Sequence, residues 1–191
     1  INPAVMYVAK KCKIKKIISV GGAQAIGSLA YIQKVDKIFG PGNDFVARAK
    51  REVFGDVGIE GMIAGPSEIT VVADKLLDMS KVITSMIAQS EHGINSQSIL
   101  ITKNEKLIKN INKKINIYLK KIPRKNIVIQ SLKKNGLLIL AKNNQQIVNI
   151  INMISPEHLE LLSKDYKKLL NNINNVGSIG LGIYSPVAAS D

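Results

Sequence analysis

The chain has 191 residues, 46% of them hydrophobic, and a formal net charge of +13, which is length enough for one large domain or two small lobes around a core. No apolar run approaches the roughly 20 residues that span a bilayer. The first residues, Ile1-Asn2-Pro3-Ala4-Val5-Met6, lack an initiator methionine and the basic-then-apolar order of a signal peptide. The basic excess sits on lysine: only Arg48, Arg51 and Arg124 are arginines, tryptophan is absent and aromatics make up 4%. Planar forks and stacking platforms for nucleic acid are therefore scarce, and a solvated lysine surface is the expected account. The single cysteine, Cys12, excludes an internal disulfide framework and suits a reducing cytosol. Its expected role is that of a small buried residue on the first helix.

Ile17-Ile18-Ser19-Val20, closed by Gly21-Gly22, predicts a strand and tight turn before a helix opening at Ala23. Val35 to Phe39 predicts a second strand, ended by Gly40-Pro41-Gly42-Asn43, and Phe45 to Phe54 has helical spacing. Ile69 to Ala73 is strongly β-branched and reads as a strand. Asp78 or Ser80 can cap a helix that runs to about His92 and stops at Gly93. Ser98 to Thr102 predicts a strand, and Glu105 to Lys120 a long helix broken at Pro123. Ile127-Val128-Ile129 and Leu137 to Leu140 predict further strands, Gln145 to Met153 a helix and Leu159 to Leu162 a short strand. Such alternation predicts an α/β fold with mostly parallel sheets and flanking helices. Two similar halves meeting near Gly65-Pro66-Ser67-Glu68 fit the pattern.

Both histidines sit beside a carboxylate, in Gln89-Ser90-Glu91-His92 and in Ser155-Pro156-Glu157-His158. Gln89 and His92 are three apart on a predicted helix and project from one face, a workable spacing for an amide-oxygen and an imidazole ligand. Those donors suit zinc, with manganese or cobalt also compatible, and two ligands need others from elsewhere. The plain alternative is a polar helix end where His92 meets the C-terminal dipole. Glu157 and His158 follow Pro156 before a strand, and each is suited to proton transfer. On extended backbone they are expected to point to opposite sides. Ser67 and the two glycine turns read by themselves as ordinary turn residues, and Val20 to Ile26 is not a G-x-G-x-x-G fingerprint.

Taken in order, Val20-Gly21-Gly22-Ala23-Gln24-Ala25-Ile26, Lys34-Val35-Asp36-Lys37-Ile38, Gly40-Pro41-Gly42-Asn43, Ala64-Gly65-Pro66-Ser67-Glu68, Gln89-Ser90-Glu91-His92, Pro156-Glu157-His158-Leu159 and the tail Gly177 to Asp191 resemble histidinol dehydrogenases across the whole chain. The resemblance implies a cytoplasmic homodimer of two incomplete Rossmann-like lobes, here 1–68 with the NAD contacts and 69–191 with the zinc and catalytic residues. It implies oxidation of L-histidinol to L-histidine through the aldehyde with two NAD per turnover, the last step of histidine biosynthesis, with no nucleic-acid or membrane partner. By position, Gln89, His92 and Asp191 match zinc ligands, Glu157 and His158 the catalytic pair, and Gln24 and Asn43 the NAD contacts. Ser67 matches a substrate contact, and Gln89, His92, Glu157, His158 and Asp191 match positions that bear on the substrate. A related zinc- and NAD-dependent dehydrogenase acting on another alcohol, such as a sulfonated diol, is the close alternative.

Three departures accompany the resemblance. The chain is about half the family's length and stops before a further zinc-binding histidine and a substrate-binding glutamate, so this stretch alone is expected to be catalytically incomplete. Ala30 to Lys34 is a few residues shorter than the usual loop. Gly58-Ile59-Glu60-Gly61-Met62 also differs from the usual lead-in to the Ala64-to-Glu68 turn.

Overall fold

A computed structural model describes residues 1–60, 67–75, 78–164 and 166–187, and the chain divides into two units, Ile1–Gly65 and Pro66–Asp191. Ser67 and Glu68 thus travel with the second unit. Asp191, the Ala64-Gly65-Pro66 turn and the Gly61-Met62 pair lie outside the described residues. Among those described, no helix is long and apolar enough to cross a membrane.

In the first unit, helix α1 (Pro3–Lys11) starts at Asn2, whose side chain accepts the Ala4 N–H at 2.8 Å, with proline in the first turn. No residue of α1 is buried, and Cys12, at its C-cap, is exposed rather than buried. The strand expected at Ile17–Val20 is also absent. Ile17, Ile18 and Val20 are exposed, and the unit's parallel pairing joins strand β1 (Lys37–Ile38) to strand β2 (Gly58–Ile59) instead. A β-branched run without a neighbour to hydrogen-bond has no ladder to join. Helix α2 (Gly22–Gly27) runs into a π-helical turn at Ser28–Ile32, and helix α3 (Asp44–Glu52) follows the glycine turn. Ile26, Ala30, Ile38, Val53 and Val57 make this unit's small core.

The second unit holds strands β3 (Glu68–Val72), β4 (Gln97–Thr102), β5 (Gly136–Leu140), β6 (His158–Leu161) and β7 (Ser178–Leu181). They form one sheet in the order β5-β4-β3-β6-β7 with every pairing parallel. The chain builds outward from β3 to β5, then returns to add β6 and β7 on the other side of β3. Helices α4 (Met79–Ser90), α5 (Glu105–Leu119) and α6 (Lys125–Asn135) pack on one face through Val82, Ile83, Met86, Leu107, Ile111 and Val128. Helices α7 (Asn144–Ile154) and α8 (Tyr166–Leu170) cover the other through Ile147, Val148, Ile151 and Leu169. Burial on both faces is why the β3 and β4 segments read as continuous apolar runs.

In this unit two assignments differ from the sequence reading. Ile127-Val128-Ile129 lies in α6, not in a strand. The buried Val128 and Ser131, with Ile129 and Leu132 packed against the same core, repeat at helical spacing, and tertiary burial overrides the β-branched preference. The chain then enters β5 with no intervening loop. A Cβ at Gly136 would stand 2.4 Å from the Leu132 carbonyl oxygen, so the abrupt helix-to-strand step needs glycine there. The second difference is Asp78, which occupies the N-cap position of α4 but makes no side-chain capping bond.

Candidate functional site

The amino-terminal edge of the five-stranded sheet gathers most of the residues singled out by the sequence. Ser67 leads directly into β3, His158 opens β6 and Ser178 opens β7. Leu159 and Leu161 face the α7 layer, so alternation turns His158 and Glu160 toward α4. The C-terminal end of α4 arrives at the same edge. Its last turn carries buried Gln89, and His92 follows just past the helix, donating its backbone N–H to the Gln89 carbonyl at 3.2 Å. The approach of α4 to β4 is fixed by small polar residues: Ser98 Oγ donates to the Met86 carbonyl at 2.9 Å and lies 2.9 Å from Ser90 Oγ.

Ser67 Oγ lies 3.1 Å from His92 Nδ1. A histidine held at Nδ1 presents Nε2 as its metal-ligating atom. Gln89 is 3% exposed and its Nε2 has no hydrogen-bond partner, an arrangement that costs about 1–3 kcal/mol unless something completes it. Since an amide's oxygen and nitrogen exchange by a flip, this buried carboxamide has an oxygen to offer an ion. The pair therefore fits a zinc ion as one nitrogen and one oxygen donor. Among the described residues no three His, Cys, Asp or Glu side chains converge; Asp191, the third expected ligand, is not among them.

Ser155, in the left-handed region at φ 52°, ends α7, and Pro156 follows it, a common helix stop. The chain bends at Glu157 before β6 begins, so Glu157 and His158 do not splay to opposite sides as expected. The Glu157 carboxylate turns back until Oε1 is 3.8 Å from His158 Nε2. Its other oxygen, Oε2, accepts the Glu68 backbone N–H at 3.2 Å. His158 Nδ1 lies 2.7 Å from Ser178 Oγ. The His158 side chain is 11% exposed and that of Glu157 32%, so the acid stands nearer solvent than the imidazole.

The opposite, carboxyl-terminal edge carries hydrogen bonds between its described connections. In open α/β sheets a ligand commonly sits where the strand order reverses, which here is the β3/β6 boundary. Asp74 Oδ2 accepts from Ser163 Oγ at 2.7 Å, and Asp74 Oδ1 accepts the Lys103 backbone N–H at 3.3 Å. Asn104 Nδ2 donates to the Asp74 carbonyl at 2.8 Å while its Oδ1 accepts the Lys106 N–H at 3.0 Å. These bonds tie the ends of β3, β4 and β6 together, beside a groove of about 610 Å³ lined by Asp74, Lys103, Asn104, Glu105 and Lys106.

In the first unit, Gln24 is exposed on α2 and Asn43 is exposed at the N-cap of α3, with its Oδ1 accepting the Val46 N–H at 3.1 Å. The Asn43 Nδ2 remains as a donor. The glycine turn before it is anchored by Lys50, 2% exposed, whose Nζ donates to the Gly40 carbonyl. The two amides fit hydrogen bonds to a dinucleotide.

Three side chains were not singled out by the sequence, Ser178 and Glu160 in the sheet and Lys50 in the first unit. Ser178 opens the short strand Ser178-Ile179-Gly180-Leu181, and only its register beside β6 places it next to His158. Lys50 sat unremarked within a solvated-looking basic helix. Glu160 is 2% exposed and joins two elements: Oε2 accepts from Ser85 Oγ at 2.7 Å and Oε1 from the Val187 N–H at 2.8 Å. Ser85 lies one turn before Gln89 on α4.

The family model described as histidinol dehydrogenase matches residues 1–191. The histidinol dehydrogenase of Pelagibacter ubique is 54% identical over 194 residues, covering 100% of this chain and 45% of the relative. That of Listeria monocytogenes is 44% identical over 195 residues with the same shares. A crystal structure of histidinol dehydrogenase from Elizabethkingia anophelis superposes with a TM-score of 0.89 at 36% identity, again covering 100% of this chain and 45% of that one. The chain thus spans about half the length of the relatives it matches. It belongs to the histidinol dehydrogenase family.

Proposed function

We propose that the complete protein of which this chain is part oxidises L-histidinol to L-histidine through L-histidinaldehyde, as a cytoplasmic homodimer using zinc and NAD. The observation that carries this reading is the Glu157-His158 pair at 3.8 Å, set on the same sheet edge as the Ser67–His92 contact. A gap of that size is too long for a direct hydrogen bond and within reach of an ion pair once the imidazole is protonated. His158 takes the alcohol proton as hydride leaves the same carbon, giving the aldehyde. Glu157 takes a proton from water as it adds to that aldehyde, and a second loss of hydride and proton from the hydrate gives the carboxylate.

Gln89, His92 and Asp191 are the residues that would hold zinc in this reading, and zinc, when bound, would supply a Lewis acid that orients the substrate. NAD, when bound near Gln24 and Asn43, supplies the hydride acceptor for each oxidation. Ser67 braces His92 through Nδ1 and stands beside the substrate. The backbone N–H of Glu68, bonded to Glu157 Oε2, keeps one carboxylate oxygen fixed while the other faces His158.

Supplying the full-length, zinc-loaded protein with NAD and either L-histidinol or a sulfonated diol tests the assignment. The reading predicts NADH and L-histidine from the first and no turnover of the second. Turnover of the diol alone would assign the site to the sister activity.

A further inference from the structure

We infer that Ser178 is the positioning residue that fixes the tautomer of His158, accepting a hydrogen bond from Nδ1–H so that Nε2 is the atom that takes the substrate's proton. This rests on the reading of His158 as the base, and it adds a residue and an atom to that reading.

The placement is built into the sheet. His158 and Ser178 are direct register partners in the parallel β6–β7 pair, so their side chains leave the same face side by side. The start of β7 is sewn to the segment carrying the acid and base by two successive bonds: the Gly177 N–H donates to the Pro156 carbonyl at 3.2 Å and the Ser178 N–H to the Glu157 carbonyl at 2.8 Å. A Cβ at residue 177 would lie 2.6 Å from the Glu157 carbonyl oxygen. Glycine at 177 therefore permits the approach, and serine at 178 supplies a hydroxyl with little bulk. The resulting Oγ to Nδ1 distance of 2.7 Å is short for a nitrogen–oxygen bond.

The hydrogen bond made by one ring nitrogen decides which tautomer the other presents. A hydroxyl can donate or accept, and the reaction separates the two cases. If Ser178 donated to Nδ1, Nε2 would carry the ring's proton and could not take another. With Ser178 accepting, Nδ1–H···Oγ exists before and after Nε2 is protonated, so the imidazole changes charge without turning. Glu157, facing Nε2 at 3.8 Å, then lies on the side of the ring where the positive charge develops. Ser67 and His92 repeat the device, with a serine hydroxyl 3.1 Å from Nδ1 of the other histidine.

The test uses the full-length holoenzyme with 15N-labelled histidine, the His158 signals being identified by their loss in His158→Gln. Wild type is expected to carry its proton on Nδ1 with Nε2 unprotonated, and Ser178→Ala to move the population toward Nε2–H. The same variant should lose roughly 10-fold or more in kcat, the scale on which partners that orient an imidazole act, with zinc content and KM for histidinol unchanged. Ser178→Thr, which keeps the hydroxyl, should restore both tautomer and rate. A wild-type His158 protonated on Nε2, or a Ser178→Ala enzyme with full kcat, would overturn the inference. His158→Gln with full activity would instead overturn the underlying assignment of the base.

Discussion

Ser67 Oγ and His92 Nδ1 stand 3.1 Å apart, joining the residue that leads into the sheet's central strand to the end of the helix packed over it. Ser67 is thus a brace on the metal-ligand candidate as well as a substrate-contact candidate. Ser67→Ala is expected to weaken zinc binding about 10- to 100-fold, the usual effect of losing a ligand's outer hydrogen bond, and His92→Ala to abolish zinc retention. Competition with a chelator of known affinity measures the first and metal content after gel filtration the second. Stoichiometric zinc in the His92→Ala protein would contradict the ligand assignment.

Glu157 is tied to the Glu68 N–H at one oxygen and faces His158 with the other, which fits a role in hydrating the aldehyde rather than in taking the alcohol's proton. Glu157→Gln keeps the Glu68 hydrogen bond through its amide oxygen and loses the base. Rapid-quench analysis should find aldehyde accumulating after one NADH, with the second oxidation slowed by at least about 100-fold, within the range general-base catalysis supplies. Equal slowing of both oxidations would remove the separate hydration role.

The buried Glu160 bridges Ser85 on α4 to the Val187 N–H, and Val187 lies four residues before Asp191. Replacing it by alanine leaves both donors without their acceptor, at about 2–4 kcal/mol in all. Denaturant unfolding should show that loss for Glu160→Ala and a smaller one for Glu160→Gln. Full stability in Glu160→Ala would mean that the bridge contributes nothing.

Lys50 anchors the turn that presents Asn43 by donating to the Gly40 carbonyl. Lys50→Met keeps the buried stem and removes the donor. Steady-state kinetics should show KM for NAD raised several-fold while zinc content stays constant. An unchanged KM for NAD would separate this turn from the dinucleotide site.

The paired motifs were legible because both histidines stand beside a carboxylate, and the alternation of apolar runs announced a parallel α/β fold. The geometry at the sheet edge was less legible. Glu157 and His158 were expected to diverge as neighbours on extended backbone, but the chain bends at Glu157 before β6 starts, and one bent residue reverses that inference. Ile127-Val128-Ile129 carries strand-like residues yet belongs to α6, because helical repetition of Val128, Ser131 and Leu132 along the core outweighs local preference. Ile17 to Val20 has the same β-branched character and forms no strand, since pairing is a property of neighbours and not of the run itself. Ser178 could be placed only once β7 was known to lie beside β6, a contact between segments 20 residues apart.

The hydrogen bonds across the carboxyl edge were invisible in the sequence for the same reason. Asp74, Lys103, Asn104 and Ser163 belong to three separate connections, and only the strand order brings them together. The two serine–histidine contacts lie at the opposite, amino edge.

The most direct test of the account is the count of NADH formed per L-histidine when the full-length, zinc-loaded protein is given limiting L-histidinol and excess NAD. Two NADH per L-histidine, with no aldehyde released, is the result predicted by a site where His158 and Glu157 serve successive proton transfers. One NADH with free aldehyde, or no turnover by a folded protein holding one zinc per subunit, would contradict it.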